Sequence, residues 1–560
     1  WNKNQFIQIL ASNELLFLLF KANCFSKYSK APVICKLVGR KVLDGVGRPT
    51  LEVEIYCIIK NYEKRVCSTV ISSHSQILEN ALSEATEADE KERNDSVNTA
   101  VEWVNESLNT LLRDLKPTEQ CEVDKILGEY FIKKVECFCF IVENLYSKGK
   151  VCMKFLLGIK VAGKTVLGAE RTIPPEEPTE SVLRGSSAIG ATSLAAAKAG
   201  AAISHIPLYS YIALLKRDQD SPKELAVPLP MVSLLNCGKF SPGKLKLMKE
   251  IMLIPPVQLS LKESIERALD IQREVVKLLE APCKGPSPQP ADKKKSGVHG
   301  TGRKVLLFYL QPPAIKRISH LGCLVTGFDN LEQPLLLIQA ACSNIGLELG
   351  TDMYLAINCA AHELIDYHKG KYEVITGTFK SPDEMVDMYV ELIANFPSII
   401  ALVDPLRKED RQQWDNVCDA LGSQCHLLAE DAAMGISRPV TDQDVNLPKC
   451  SGAVLKYLNQ TKVSDLLELT GLLHGQRHIT ILGSPDGESS DDSLVDLAVG
   501  LGAKFIKLGG LCRGERVTKY NRLLAIEEEL AKNSTLRTSF FLTLFSACHE
   551  YKNKDCRASD

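Results

Sequence analysis

No G-x-G-x-x-G follows a strand-like run in these 560 residues, so a dinucleotide-binding fold has little support. The 19 cysteines include no C-x-x-C pair and no matching histidine spacing, which removes the common zinc modules. A charge excess is missing too: 67 Lys and Arg against 69 Asp and Glu leave a formal net charge of −2. Phosphate backbones and anionic lipid surfaces recruit strongly basic proteins, so neither nucleic acid nor a membrane is an expected partner. The apolar run FIQILASNELLFLLF is broken by Ser12, Asn13 and Glu14. It is too short for a membrane span and lacks the basic start of a secretory signal. The cysteines are therefore expected to be reduced thiols in a cytoplasmic protein, where a sequon such as Asn94-Asp95-Ser96 means nothing. Residue 1 is Trp, and the sequence is expected to begin inside a longer protein.

What remains is ordinary globular composition, 45% apolar and 24% charged, long enough for two or three domains. Residues 33–70 carry strand-like runs around a turn marked by Gly45, Gly47 and Pro49, and TLEVEIY alternates with a period of two. A charged, helix-prone tract covers about 78–135, and residues 136–183 change character, as an insertion would. An Ala- and Gly-rich helix is expected over 186–215, its small residues permitting close packing. Residues 281–304, rich in Pro, Gly and Lys, read as a disordered surface insertion. From about 350 onward short apolar runs recur: MYLAIN, SIIALVD, HLLAED, GAVLK, HITIL and KFIKL. Helix-like segments separate most of them, the pattern of a parallel sheet, either doubly wound or closed into a barrel.

These runs end on polar residues: Asn358, Asp404, Glu430, Lys456, Ser484 and Lys507. In a closed barrel the strand ends share one mouth, where an active site is built. Strands of any α/β protein also stop where polarity begins, so the pattern alone is not decisive. Two lysines at apolar strand ends are more specific. Ammonium groups brought together raise each other's cost of being charged, which can make one of them a base. They also offer a field for an anionic substrate. In the helix after Lys507, Val517, Tyr520 and Leu524 predict a packing face, and Arg513, Glu515 and Arg516 predict structural ion pairs.

Four segments resemble the enolase family: VLDGVGRPTLEVEI (42–55), GSSAIGATSLAAAKAGAAISHIPLYSYIA (185–213), NCGKFSPGKLKLMKEIMLIP (236–255) and, most specifically, FIKLGGLCRGERVTKYNRLLAIEEEL (505–530). The resemblance covers roughly residues 33–530 apart from the two insertions. It implies an α/β fold: an enolase-type, TIM-barrel-like barrel over 221–530, preceded by a smaller α+β domain over 33–220, with 1–32 and 531–560 unassigned. It also implies a small phosphorylated carboxylate as substrate, 2-phosphoglycerate losing water to give phosphoenolpyruvate, and Mg²⁺ as cofactor. A homodimer or an assembly with other enolases is the implied partner state. One divergent branch of the family suggests a sperm-flagellum setting.

Residue by residue, the resemblance makes Lys456 the proton acceptor, Lys507 and Glu250 substrate-binding groups, and Ser75 the loop serine that closes over a second metal. The family's Asp-Glu-Asp metal trio falls at Asn358, Val403 and Glu430, with Asp404 beside Val403 as a substitute ligand whose side chain should point the other way. The general-acid glutamate falls near Cys323 or Leu324, the substrate-loop histidine near Phe240, and the phosphate-binding Arg and Ser at Pro485 and Asp486. An aspartate there repels phosphate. The functional expectations are an enolase weakened by lost metal ligands, a related enzyme on another carboxylate, or a degraded fold kept as a structural or assembly protein.

Overall fold

The structure, a computed structural model, describes residues 31–72, 83–145, 183–216, 224–280, 317–433, 447–456 and 461–536. Ser75, the 281–304 tract and most of the 136–183 tract lie outside these residues.

Strands β1 (Val33–Leu43), β2 (Pro49–Ile59) and β3 (Tyr62–Val70) form an antiparallel meander. The β1–β2 turn closes because Asp44 Oδ1 accepts from the amides of Val46 and Arg48, while Gly47 takes φ +81°. The alternation in β2 buries Leu51, Val53, Ile55 and Cys57 completely. Helices α1 (Ser83–Trp103) and α2 (Gln120–Leu145) are joined through a π turn and a short helical stretch, Asn109–Leu111, and α3 (Ser187–Ser204) follows. The Ala-rich α3 comes close enough to the sheet for Cys67 Sγ to donate to the Ala195 carbonyl at 3.2 Å.

After α4 (Leu208–Leu215) eight strands close into a barrel in chain order. They are β4 (Leu229–Gly238), β5 (Leu247–Ile254), β6 (Tyr354–Asn358), β7 (Ile399–Val403), β8 (His426–Ala429), β9 (Gly452–Leu455), β10 (Ile479–Gly483) and β11 (Phe505–Gly509). Pairing of β11 with β4 completes the ring. The six apolar runs are β6 to β11. The barrel departs from uniform parallel order at β5, which is antiparallel to both β4 and β6. Only residues 239–246 join β4 to β5, too few for the crossover a parallel neighbour requires. Helices α5 (Leu261–Glu280), α6 (Glu332–Asn344), α7 (Pro382–Asn395), α8 (Arg411–Leu421), α9 (Val463–Gly475), α10 (Ser493–Leu501) and α11 (Gly514–Lys532) succeed the later strands.

Two aspartates, buried Asp124 and partly buried Asp491, tie the small domain to the barrel. Asp124 of α2 accepts from the Ser464 amide at 2.8 Å and from Ser193 Oγ at 2.6 Å. Asp491 accepts from the Val70 amide and from Lys198 Nζ, each at 3.0 Å. Burial would raise the Asp491 pKa, but Lys198 and the hydrogen bonds outweigh it and hold it low. A depressed folded-state pKa means that the contribution is complete above the ordinary carboxylate range and lost as pH falls through it. Asp491→Asn should therefore lower stability by about 1–3 kcal/mol at pH 7. Urea unfolding should show the gap to wild type narrowing towards pH 4. A gap independent of pH would mean that ionised Asp491 does not join the domains.

Candidate active site

The reversed direction of β5 decides what meets at the barrel mouth. Glu250 lies near the start of β5, and antiparallel pairing sets it directly opposite Asn358 at the end of β6. Glu250 is fully buried and accepts from Ser233 Oγ at 2.6 Å, from Asn358 Nδ2 at 2.9 Å, and from Lys507 Nζ. Lys507 reaches Glu430 Oε2 at 3.1 Å, and Lys456 ion-pairs with Glu430 Oε1. The four side chains thus form one alternating chain: Lys456, Glu430, Lys507, Glu250. Their side-chain exposures are 11%, 6%, 1% and 1% in that order.

Gly483 makes room for this arrangement. A Cβ there would lie 2.8 Å from Val454 Cγ1 and 3.1 Å from Lys456 Cγ. Strand β10, between the strands that lead to Lys456 and carry Lys507, must therefore be bare at its tip.

Burial by itself pushes both glutamates up, since ionised groups lose solvation. For Glu430 the ammonium groups of Lys456 and Lys507 win and bring its pKa down to about 2. For Glu250, burial and the repulsion from Glu430 push the pKa up, but Lys507 and Lys456 together outweigh them, and its pKa is lowered. Both carboxylates are therefore anions, and the lysines are their counter-ions.

A second layer was not read from the sequence. Lys249 bonds Glu363 Oε1 at 2.6 Å; burial disfavours its charge, but Glu363, Asp486 and Glu430 reverse that and raise its pKa. Glu488 accepts from Ser72 Oγ at 2.6 Å and from Ser484 Oγ, connecting β10 to the small domain. The chain enters the tract holding Ser75 from this Ser72 contact. The available signals were the Lys249-Glu250 pair in one apolar strand and Ser484 at a strand tip.

The trio expected to hold Mg²⁺ does not fit it. Asn358 spends its amide nitrogen on Glu250 and its oxygen on the Ala360 amide, at 3.1 Å. Val403 is a fully buried hydrocarbon within the barrel. Glu430 is engaged by both lysines. Mg²⁺ demands hard, charged oxygens in octahedral geometry, and two of these three positions supply no charge. Among the described residues no three His, Cys, Asp or Glu side chains are placed to hold a metal ion. Asp404 lies just past the end of β7, so strand alternation does not govern its side chain. Its backbone sits at φ +44°, and its carboxylate accepts from the Glu430 and Asp431 amides at 2.8 and 2.7 Å. It shapes the loop after β8, and burial raises its pKa to about 6.

Near where the resemblance puts the general acid, Cys323 and Leu324 are both buried; Cys323 Sγ lies 3.1 Å from Ser319 Oγ, and burial pushes its thiol well above the usual range. Phe240 is partly exposed beside Lys239. Arg513 and Glu515 approach each other at 3.9 Å, as expected of an ion pair. Arg516 corrects that expectation: it donates to the carbonyls of His320, Leu508, Pro485 and Asp486 instead. Among the described residues no helix is long and apolar enough to cross a membrane.

A family profile described as "Enolase, C-terminal TIM barrel domain" matches residues 317–543. Enolase 4 of Homo sapiens is 50% identical over 540 residues, covering 92% of this chain and 83% of the relative. Enolase 4 of Xenopus laevis is 47% identical over 529 residues, covering 92% and 86%. Enolase of Elusimicrobium minutum is 30% identical over 352 residues, covering 63% and 73%.

Proposed function

This chain belongs to the enolase family, and from that premise we propose that it is an attenuated phosphopyruvate hydratase with Lys456 as its base. The supporting observation is the convergence of Lys456 and Lys507 on one buried carboxylate, Glu430. A lysine acting as base must first shed its own proton, and a second ammonium beside the same carboxylate favours that loss. Neutral Lys456 then takes the proton from the carbon next to the substrate carboxylate. The electron pair left behind becomes an enediolate, and the hydroxyl departs from the neighbouring carbon.

Members of this family usually use Mg²⁺ to stabilise the enediolate. Here that charge falls to the ammonium groups of Lys507 and Lys249. No carboxylic acid stands at the position of Cys323 to protonate the departing hydroxyl. Weaker charge stabilisation and a missing acid each slow the reaction by orders of magnitude. A cytoplasmic homodimer, or an assembly with other enolases, goes with this reading.

A second reading rests on the same ion pairs. With both glutamates neutralised internally, the barrel is a stable shell that needs no ligand, suited to a structural or assembly role such as one in the sperm flagellum. Purified full chain should be assayed with 2-phosphoglycerate, with and without Mg²⁺, beside Lys456→Ala. Slow turnover is expected, falling about 10²–10⁴-fold in the variant. Equal rates in the two proteins would remove Lys456 from the chemistry. A folded wild type with no turnover at any Mg²⁺ concentration would favour the structural role.

A further inference from the structure

We propose that the end of the barrel opposite the mouth carries a docking surface for an acidic peptide segment of another protein, built from Lys216, His474, Arg477, His478 and Lys504. This surface is separate from the Lys456-centred mouth and goes beyond its chemistry.

The strands and helices place these residues together. β10 and β11 bring their C-terminal ends to the mouth, and His478 and Lys504 immediately precede them, at the other end of the barrel. The Lys504 amide donates to the Thr480 carbonyl at 3.0 Å, which sets the two strand entries side by side. α4 is followed by Lys216, whose Nζ donates to the Leu501 carbonyl at the end of α10 at 2.7 Å. α9 ends one residue after His474. A Cβ on Gly502, just past α10, would lie 3.7 Å from Lys216 Nζ and 4.0 Å from His474 Cε1. The C-termini of three helices therefore share one corner.

Helix C-termini carry partial negative charge, and Lys216 and His474 complement it. Arg477 and Lys504 lie outside these helices and are not explained that way. Arg477 is exposed and holds φ +62°, in a turn closed by its own amide on the His474 carbonyl at 3.0 Å and by the His478 amide on the Leu473 carbonyl at 2.8 Å. Glycine is the usual residue in such a helix-ending turn, and an arginine there is strained. Among the described residues no carboxylate pairs with Lys216, His474, Arg477 or His478. Burial first, then Lys216 and Lys504, hold the His474 pKa below its ordinary value, as crowded cations without a counter-charge do. Residues 217–223, which follow Lys216, carry two cations and two anions and add no net charge.

Surplus positive charge on one face fits an anionic partner. The formal net charge of −2 opposes the long-range approach of nucleic acid. Leu214, in the last turn of α4, is 44% exposed and gives a peptide an apolar contact that a bare inorganic anion cannot use.

The test is fluorescence anisotropy of a labelled decaglutamate peptide titrated with full chain at low ionic strength. Arg477→Gly should weaken binding about two- to fivefold while raising the unfolding midpoint, because the strain leaves with the charge. An arginine of purely structural meaning would move the midpoint and leave the affinity alone. Adding His474→Gln and Lys504→Gln should bring the loss to about tenfold or more. Lys456→Ala should bind as wild type does; a loss there would put the peptide at the mouth and overturn the proposal. It is equally overturned by a wild type that does not bind the peptide, or by unchanged affinity in a triple variant with a cooperative unfolding transition. A labelled DNA duplex that binds more tightly than the peptide through the same residues would overturn the choice of a peptide.

Discussion

Replacing Lys507 with alanine is expected to destabilise the protein by about 3–5 kcal/mol, the largest loss from any single truncation at the mouth. The ammonium is 1% exposed and bridges Glu250 and Glu430, which are themselves buried. Without it Glu430 keeps Lys456, but Glu250 keeps only the Ser233 hydroxyl and the Asn358 amide. Two neutral donors cannot balance a full charge out of water. Glu250 should then take up a proton, so its folded-state pKa in the variant rises above the unfolded value. A raised carboxylate pKa makes the variant more stable, relative to wild type, as pH falls. Urea unfolding at pH 7 and pH 5 should show a smaller deficit at the lower pH. Adding Glu250→Gln should recover part of the loss, because the glutamine carries no charge to strand. Lys507→Met, which keeps the apolar stem, should still lose most of what the alanine variant loses. A loss below about 1 kcal/mol in both single variants would mean that Lys507 is not the counter-ion of the buried glutamates.

The six apolar runs announced six barrel strands, and the lysines at two of their ends were recognisable because charge is unusual there. Strand direction was less legible. Segment 236–255 was singled out only by its resemblance to a family substrate loop, yet Leu247–Ile254 is a strand running against its neighbours, and this brings Glu250 to the mouth. The shortness of the connection was the available clue.

Helix α11 misled for a different reason. Val517, Tyr520 and Leu524 suggest its packing face, but the fully buried set is Arg516, Lys519, Tyr520, Leu523, Ile526 and Leu530. Two cations are turned inward because they serve groups from distant segments. Arg516 satisfies four carbonyls, and Lys519 donates to the Ser489 carbonyl at 2.6 Å and lies 3.4 Å from Glu488. Hydrophobic periodicity counts such residues as surface, and nothing local to the helix reveals the acceptors. Asp404 was hidden in the same way: its acceptor role depends on a loop 26 residues later.

Val403 offers the sharpest test of why this mouth does not fit Mg²⁺. The double variant Asn358→Asp, Val403→Glu should lose about 3–5 kcal/mol in metal-free buffer and regain much of it with millimolar Mg²⁺. Val403 is fully buried against neighbours that include Met252, Leu428 and Val454, and pairs with Asn358 on one side and Leu428 on the other. A carboxylate there would be desolvated and would repel Glu430. Asn358→Asp replaces the amide that donates to Glu250 with a second anion facing it. Three clustered carboxylates beside Glu250 then exceed what two lysines can neutralise, and a divalent cation supplies the missing charge. At a Mg²⁺ concentration a hundredfold above its dissociation constant, binding adds about 2.7 kcal/mol. Unfolding midpoints measured across a Mg²⁺ series should therefore climb in the double variant and stay flat in wild type. An equal climb in wild type would show that Asn358 and Glu430 hold the ion unaided, against the geometry. Flat series in both would show that these strand ends no longer converge as the register of β6, β7 and β8 requires. A climb in the double variant alone makes the side chains at 358 and 403, and not the backbone around them, the reason that this mouth does not fit the ion.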